Sequence, residues 1–215
     1  MPLPAPPEAH ADFLEGANSA DARAWLDRVA AWPGARLLVW GGDGVGKTHL
    51  LARWARTVGG HRVAGAVLKF PAEAGPLAID DADDADEAAL LHVLNAAAEA
   101  GSPVLLATRT PPSRLRIGLS DLASRLRATN AVEITAPDDA LLAALLARLC
   151  AERQLAVAEP VQAFLLARLP RTPAAMREIS ARLDRAALSA GRAVTRALAA
   201  AVVEEMTVLW QTSEP

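Results

Sequence analysis

The apolar residues of this chain change rhythm along its length. From about residue 36 to 135, short continuous apolar runs alternate with stretches whose apolar positions recur every third or fourth residue. That alternation is the pattern of buried strands separated by amphipathic helices. Ahead of it, Ala22, Trp25, Leu26 and Val29 keep helical spacing, with Asn18 placed as N-cap, Asp21 in the first turn and Pro33-Gly34 as terminator. Strands are predicted over 36–40, 63–70 (closed by Pro71), 75–81, 103–107 and 131–135, the fourth tipped by Thr108 and Arg109. Helices are predicted up to about 58, over 87–100 with Leu90, Leu91, Leu94 and Ala97 inward, and over 119–127. Strands joined by helical crossovers make a parallel three-layer α/β sheet the natural architecture. After Pro137 only helical periodicity remains, beginning with Leu141, Leu142, Leu145, Leu146 and Leu149. Further helices are expected over 160–169, 173–190 and 195–210, where Thr172-Pro173 is a good helix start. The expected organisation is an N-terminal arm over 1–11, an α/β domain over 12–136 and a small all-helical lid over 137–215.

Composition narrows the classes. With 52% hydrophobic and 22% charged residues, the 215-residue chain can bury a substantial core. A net charge of −3 and a pI near 5.8 argue against charge-driven, sequence-specific DNA binding. The single cysteine, Cys150, excludes an internal disulfide and a cysteine-built metal site, and its leucine-rich surroundings make it a small buried hydrophobe. No apolar run is long enough to span a membrane and no secretory signal pattern opens the chain, so a cytoplasmic protein is expected. Pro2, Pro4, Pro6 and Pro7 deny the first eleven residues a regular element, so a mobile arm is expected there.

The chemistry concentrates between the first strand and its helix. Gly41-Gly42-Asp43-Gly44-Val45-Gly46-Lys47-Thr48 fits G-x-x-x-x-G-K-[ST] in a strand–turn–helix setting. Glycines let backbone N–H groups curl around an anion, and the helix start adds its positive dipole end. Lys47 is suited to neutralise β- and γ-phosphate oxygens, and the Thr48 hydroxyl to ligate Mg²⁺. The run 75–81 ends in Asp80 and Asp81, at the carboxyl end of a parallel strand where ligands bind in open α/β sheets. Asp80 is positioned to hold Mg²⁺ and Asp81 to orient an attacking water, whereas Asp83, Asp84 and Asp86 read as a solvated acidic turn capping the next helix.

A phosphate-loop α/β domain followed by a helical lid resembles the AAA+ ATPases, and several stretches resemble the DnaA replication-initiator group within them. Asp12-Phe13-Leu14-Glu15-Gly16 and then Asn18 resemble the segment that in this group passes beside adenine, which implies nucleotide contacts for Phe13, Leu14 and Asn18. Gly44 through Thr48 followed by His49-Leu50-Leu51 resembles its phosphate loop, bringing His49 into the site. Ile79-Asp80-Asp81 resembles its acid pair, and His92 and Asn95 the His and Asn on the helix after it. Gly118-Leu119-Ser120-Asp121-Leu122-Ala123-Ser124-Arg125-Leu126 and Ala175-Met176-Arg177 are similar to segments of the Hda family, short DnaA-like proteins that promote regulatory inactivation of the initiator.

The resemblance implies that Arg125 is an arginine finger acting in trans on ATP held by DnaA, and that Arg177 is a lid arginine reporting on the bound nucleotide. From the residues alone, Arg125 reads as a surface arginine on a short helix, and the alternative for Arg177 is a lid–sheet ion pair. Arg109 stands where DnaA-type sequences often carry aspartate, which leaves Thr108 as the sensor candidate at that strand tip. Hda proteins usually begin with a peptide that binds the DNA polymerase III sliding clamp; Met1-Pro2-Leu3-Pro4 retains only part of such a motif. No basic helix-turn-helix segment precedes Pro215, and a homodimer is compatible with the group. Two functions follow: an ADP- or ATP-binding regulator with Mg²⁺ that triggers hydrolysis on DnaA, with weak activity of its own, or a DnaA/DnaC-type ATPase that loads a helicase or remodels the initiator complex. An adaptor holding ADP as a structural cofactor overlaps the first.

Overall fold

In a computed structural model, residues 17–70, 75–191 and 193–212 are described. Among them, five parallel strands form one sheet: β1 (Arg36–Trp40), β2 (His61–Ala64), β3 (Leu77–Asp80), β4 (Val104–Thr108) and β5 (Asn130–Glu133), in the order β2-β3-β4-β1-β5. Leu37, Leu38 and Val39 of the central β1 are fully buried, as residues covered on both faces must be. One face packs on α1 (Ala20–Leu26) and α2 (Lys47–Val58) through Leu37, Val39, Leu50, Leu51 and Trp54. The other packs on α3 (Glu87–Ala100) and α4 (Ser120–Arg127) through Leu38, Leu106, Leu94, Leu122 and Leu126. The last helices, α5 (Asp139–Glu152), α6 (Glu159–Leu166), α7 (Pro173–Ala190) and α8 (Arg196–Thr212), enclose a separate core that includes Leu146, Leu165, Ile179, Val202 and Cys150.

The long, strongly periodic elements appear where predicted, α3 over 87–100 and α7 over 173–190 among them. The first helix does not run to Pro33. It stops at Leu26 and gives way to 3-10 turns over Val29–Ala31 and Pro33–Ala35. Those turns bring Trp32 under the domain, stacked on Trp54 with centroids 5.3 Å apart and donating its indole N–H to the Trp25 carbonyl at 2.8 Å. Asn18 is not the cap of that helix. Ser19 holds the position, and the Asn18 side-chain amide donates to the Thr135 carbonyl at 3.1 Å while the Asn18 main-chain carbonyl accepts from the Thr135 N–H. Its work is to tie the start of the described chain to the exit of β5.

The second strand also departs from expectation. It occupies His61–Ala64 rather than 63–70, and the chain turns away at Gly65–Val67, leaving Val67 and Phe70 exposed. The register explains the start, since His61 lies opposite Leu77 and Ala64 opposite Asp80. The exit is set by Gly65, where a Cβ would come within 2.2 Å of the Asp81 carbonyl oxygen. Residues 1–16, with Phe13, Leu14 and the Met1–Pro4 segment, lie outside the described residues. Among the described residues no helix is long and apolar enough to cross a membrane.

Candidate functional site

The carboxyl ends of β1, β3 and β4 converge on the turn between β1 and α2. Gly41 must be glycine there, because a Cβ would stand 2.3 Å from the Ile134 carbonyl oxygen. Gly44 and Gly46 take φ of +75° and +106°, conformations that L side chains adopt only at a cost. Gly46 caps α2 without any side-chain acceptor, whereas Asp86, Asp138 and Thr172 each accept a backbone N–H at the start of α3, α5 and α7. The first-turn N–H groups of α2 are thus left for an external acceptor. Gly41→Ala should force β1 and β5 apart and cost about 2–3 kcal/mol, lowering Tm by roughly 5–10 °C. Gly42, with nothing within 4 Å of its added Cβ, serves as the control, since Gly42→Ala should leave the melting curve in place.

Lys47, only 6% exposed, folds back over the loop, its ammonium donating to the Gly41 and Gly42 carbonyls at 2.7 and 2.9 Å. Thr48 is exposed beside it, with Asp43 and Gly44 at the rim and Val45 tucked into the core. Between this loop, the exit of β5 and the start of α7 lies a cleft of about 290 Å³, lined in part by Asp43, Gly44, Thr135, Pro137 and Thr172. From the lid side, Arg177 on α7 reaches His49 on α2, a guanidinium-to-imidazole contact between residues 128 apart in sequence. An Arg171–Asp139 ion pair ties the start of α7 to α5 at the rim of the same cleft.

Asp80 ends β3 almost wholly buried. One carboxylate oxygen accepts from the Arg62 guanidinium at 3.2 Å, and the other is buried with no partner among the described residues. An orphaned carboxylate oxygen and an exposed threonine hydroxyl at the helix start fit a hydrated Mg²⁺, which keeps several of its waters and takes one or two protein oxygens. Asp81 is bent into the left-handed region at φ +46°. Its carboxyl is held above the ordinary value of 3.8, first by burial and then by the charges of Asp80 and Asp83, partly offset by Lys47. A carboxyl that binds its proton more tightly when folded loses stability as pH rises past that ordinary value through its raised one. Asp81→Asn, which tolerates the left-handed backbone, should therefore raise Tm by about 1–3 °C at pH 7. The gain should shrink toward zero as pH falls well below 3.8, where both states are protonated.

The acidic turn is less solvated than its sequence suggests. Asp86 does cap α3, accepting from the Ala89 N–H. Asp83 and Asp84, however, both grip Arg109, and these two partners raise the affinity of its guanidinium for its proton. Arg109 is thereby committed to a structural clamp across the strand tips. Thr108 is buried and donates its hydroxyl to the Thr110 carbonyl at 2.8 Å, so a phosphate would have to compete with that bond.

Arg125 lies elsewhere. It projects from α4 at the opposite end of the sheet from the loop, near enough to Arg36, the first residue of β1, for its charge to be felt there. Its ion pair with Asp121 is long at 3.5 Å, and its Nε is buried without a hydrogen-bond acceptor. Two residues invisible to motif reasoning support these parts. Glu87 accepts from the Gly118 and Leu119 N–H groups at 2.9 and 2.7 Å and so sets the start of α4. Arg62 reaches Asp80 across the β2–β3 ladder. An arginine in an edge strand carries no signal of its own, and only the strand register reveals the pairing.

A parallel sheet in this order, a glycine-rich loop between β1 and α2, and a helical bundle on one side define the AAA+ ATPase fold. The chain is similar to domain III of the Thermotoga maritima replication initiation protein DnaA, with a TM-score of 0.77 at 18% identity over 90% of this chain and 94% of that one. It is also similar to AMPPCP-bound DnaA from Aquifex aeolicus (TM-score 0.62, 18% identity, 77% of this chain and 61% of that one). The Thermotoga maritima RuvB Holliday junction branch migration motor is another likeness (TM-score 0.64, 17% identity, 86% of this chain and 68% of that one). No family model and no curated protein matches the chain by sequence.

Proposed function

We propose that this chain is an Hda-like regulator of replication initiation, which holds an adenine nucleotide in its own loop and applies Arg125 to ATP bound by a DnaA-type initiator. The loop from Gly41 to Thr48 carries the phosphates of ADP or ATP, with Lys47 as their counter-charge and Thr48 and Asp80 on Mg²⁺. The Asn18 segment and the cleft beside Thr135 accommodate the base, Arg177 and His49 close over the phosphates from the lid, and Thr108 lies at the strand tip beside them. Asp81 is the residue available to orient water, and intrinsic turnover is slow. The sliding clamp gathers the two proteins through the N-terminal segment. The working units are the α/β domain over 12–136 and the lid over 137–215, in the cytoplasm, with a homodimer as the form that stores the finger between encounters.

One observation carries this reading. The glycine-rich loop follows the carboxyl end of β1, whereas Arg125 is in the last turn of α4, which leads straight into Asn130 opposite Leu37 near the amino end of β1. A five-residue strand spans roughly 13 Å at about 3.3 Å per residue, more than an arginine side chain can bridge. The guanidinium therefore serves a neighbour's nucleotide or none. AMPPCP in an initiator of the same fold supports an adenine nucleotide in the loop. The test mixes the protein with ATP-loaded initiator, clamp and DNA and follows ADP formation. Stimulation well above the initiator alone is expected, and its absence at saturating protein sinks the proposal.

A further inference from the structure

Arg62 belongs to β2, the edge strand, and stands opposite Ala78 in the parallel ladder. Side chains alternate along a strand, so Arg62 shares a face with Ala78 and with Asp80 two residues further on. Its guanidinium reaches that carboxylate at 3.2 Å, and the Asp80 side chain is only 7% exposed. The pairing follows from register, not from a chance meeting of surface charges. Asp80 thus divides its two oxygens: one is held by a fixed cation, and the other is buried without a partner.

We propose that Arg62 is a resident counter-charge for the acid at the end of β3, and that it lets the site hold a nucleoside diphosphate with little help from Mg²⁺. The inference rests on the loop being a nucleotide site. A Mg²⁺ that enters beside Asp80 meets a carboxylate whose charge is already partly neutralised, and two cations sharing one anion weaken each other's hold. Mg²⁺ releases its waters reluctantly and depends on such carboxylates for its protein contacts. The diphosphate retains what does not pass through the metal: the Lys47 ammonium and the uncapped N–H groups of α2. The site is then suited to keep ADP in place whether or not a metal accompanies it.

The experiment measures dissociation constants of a fluorescent ADP analogue in saturating Mg²⁺ and in excess EDTA, for the full chain and for Arg62→Gln and Arg62→Lys. The unaltered chain should differ by less than about threefold between the two conditions, and Arg62→Lys, which keeps the charge, should stay close to it. Arg62→Gln should widen the ratio to tenfold or more, because Mg²⁺ now meets an unshared carboxylate, on the scale of about one charge–charge interaction. A ratio of tenfold or more in the unaltered chain overturns the proposal, as does an unchanged ratio in a folded Arg62→Gln. Melting curves establish folding. Should the glutamine variant not fold, the unaltered chain and Arg62→Lys decide by their own ratios. Absence of binding under both conditions defeats the nucleotide site itself, an outcome distinct from a nucleotide that binds with strong Mg²⁺ dependence.

Discussion

Lys47→Ala is expected to weaken ADP and ATP binding on the order of 100-fold while the domain stays folded. The ammonium is buried within the loop it serves, 2.7 Å from the Gly41 carbonyl and 2.9 Å from that of Gly42. Phosphate oxygens entering the loop would exchange these neutral acceptors for charged ones. Hydrogen bonds to charged groups contribute about 1.5–3 kcal/mol each, so losing one to two such contacts gives the stated factor. The fold should tolerate the change. Removing the cation leaves two carbonyls at a partly exposed turn, where water replaces it, and the apolar anchors Val45, Leu50 and Leu51 are untouched. Calorimetric titration gives the affinity directly. In melting experiments the nucleotide-induced rise in Tm should vanish, because a ligand stabilises only the state it binds. Affinity unchanged in the alanine variant would mean that any nucleotide sits elsewhere.

The second large effect belongs to Arg125→Ala. If the chain acts on an initiator as proposed, its stimulation of that initiator's ATP hydrolysis should fall by about 10³–10⁵, to a level indistinguishable from the initiator alone. Binding of nucleotide in the chain's own loop should not change. The magnitude follows from what a finger does: it sets a fixed positive charge against charge that develops only as the phosphoryl group transfers. The local structure suits that use. Arg125 is held loosely by Asp121, has a buried Nε without an acceptor, and lies near enough to Arg36 that burial, and after it the Arg125 charge, lowers the proton affinity of Arg36. The Arg36 charge within electrostatic reach adds like charge that an arriving phosphate would relieve. Stability should move little, within about 1–2 °C, because Leu122 and Leu126 carry the burial of α4. Arg125→Lys separates charge from geometry, since an ammonium lacks the planar fork. Stimulation that survives in the alanine variant would assign the rate effect to another group.

Much of this molecule is legible along the chain because its determinants are local. The β1–loop–α2 unit is written in consecutive residues: an apolar run, glycines at set intervals, then Lys47 and Thr48 opening a helix. The helices over 87–100 and 173–190 declare themselves by period and by Asp86 and Thr172 at their starts; in the structure Gly101 and Gly191 close them in the left-handed conformation. The acids closing β3 were recognisable from position alone. Where local signals competed with tertiary demands, they lost. The apolar residues near 67 and 70 look like a strand, yet the close packing of Gly65 against Asp81 turns the chain out of the sheet. Asn18 looks like a cap, yet reciprocal bonds to Thr135 hold it against the exit of β5.

What the chain determines by itself is the glycine-rich turn between β1 and α2 and the acids that close β3, because each depends on residues a few positions apart whose spacing sets their geometry. Only the tertiary structure decides which charges face one another. It pairs Arg62 with Asp80 through strand register, Arg109 with Asp83 and Asp84 across strand tips, and Arg177 with His49 from lid to core. It also sets Arg125 on the helix that leads into the start of β5, at the other end of the sheet from the glycine-rich loop. Electrostatic partners are chosen by distance in space, and a folded chain brings together residues whose separation in sequence carries no trace of that distance.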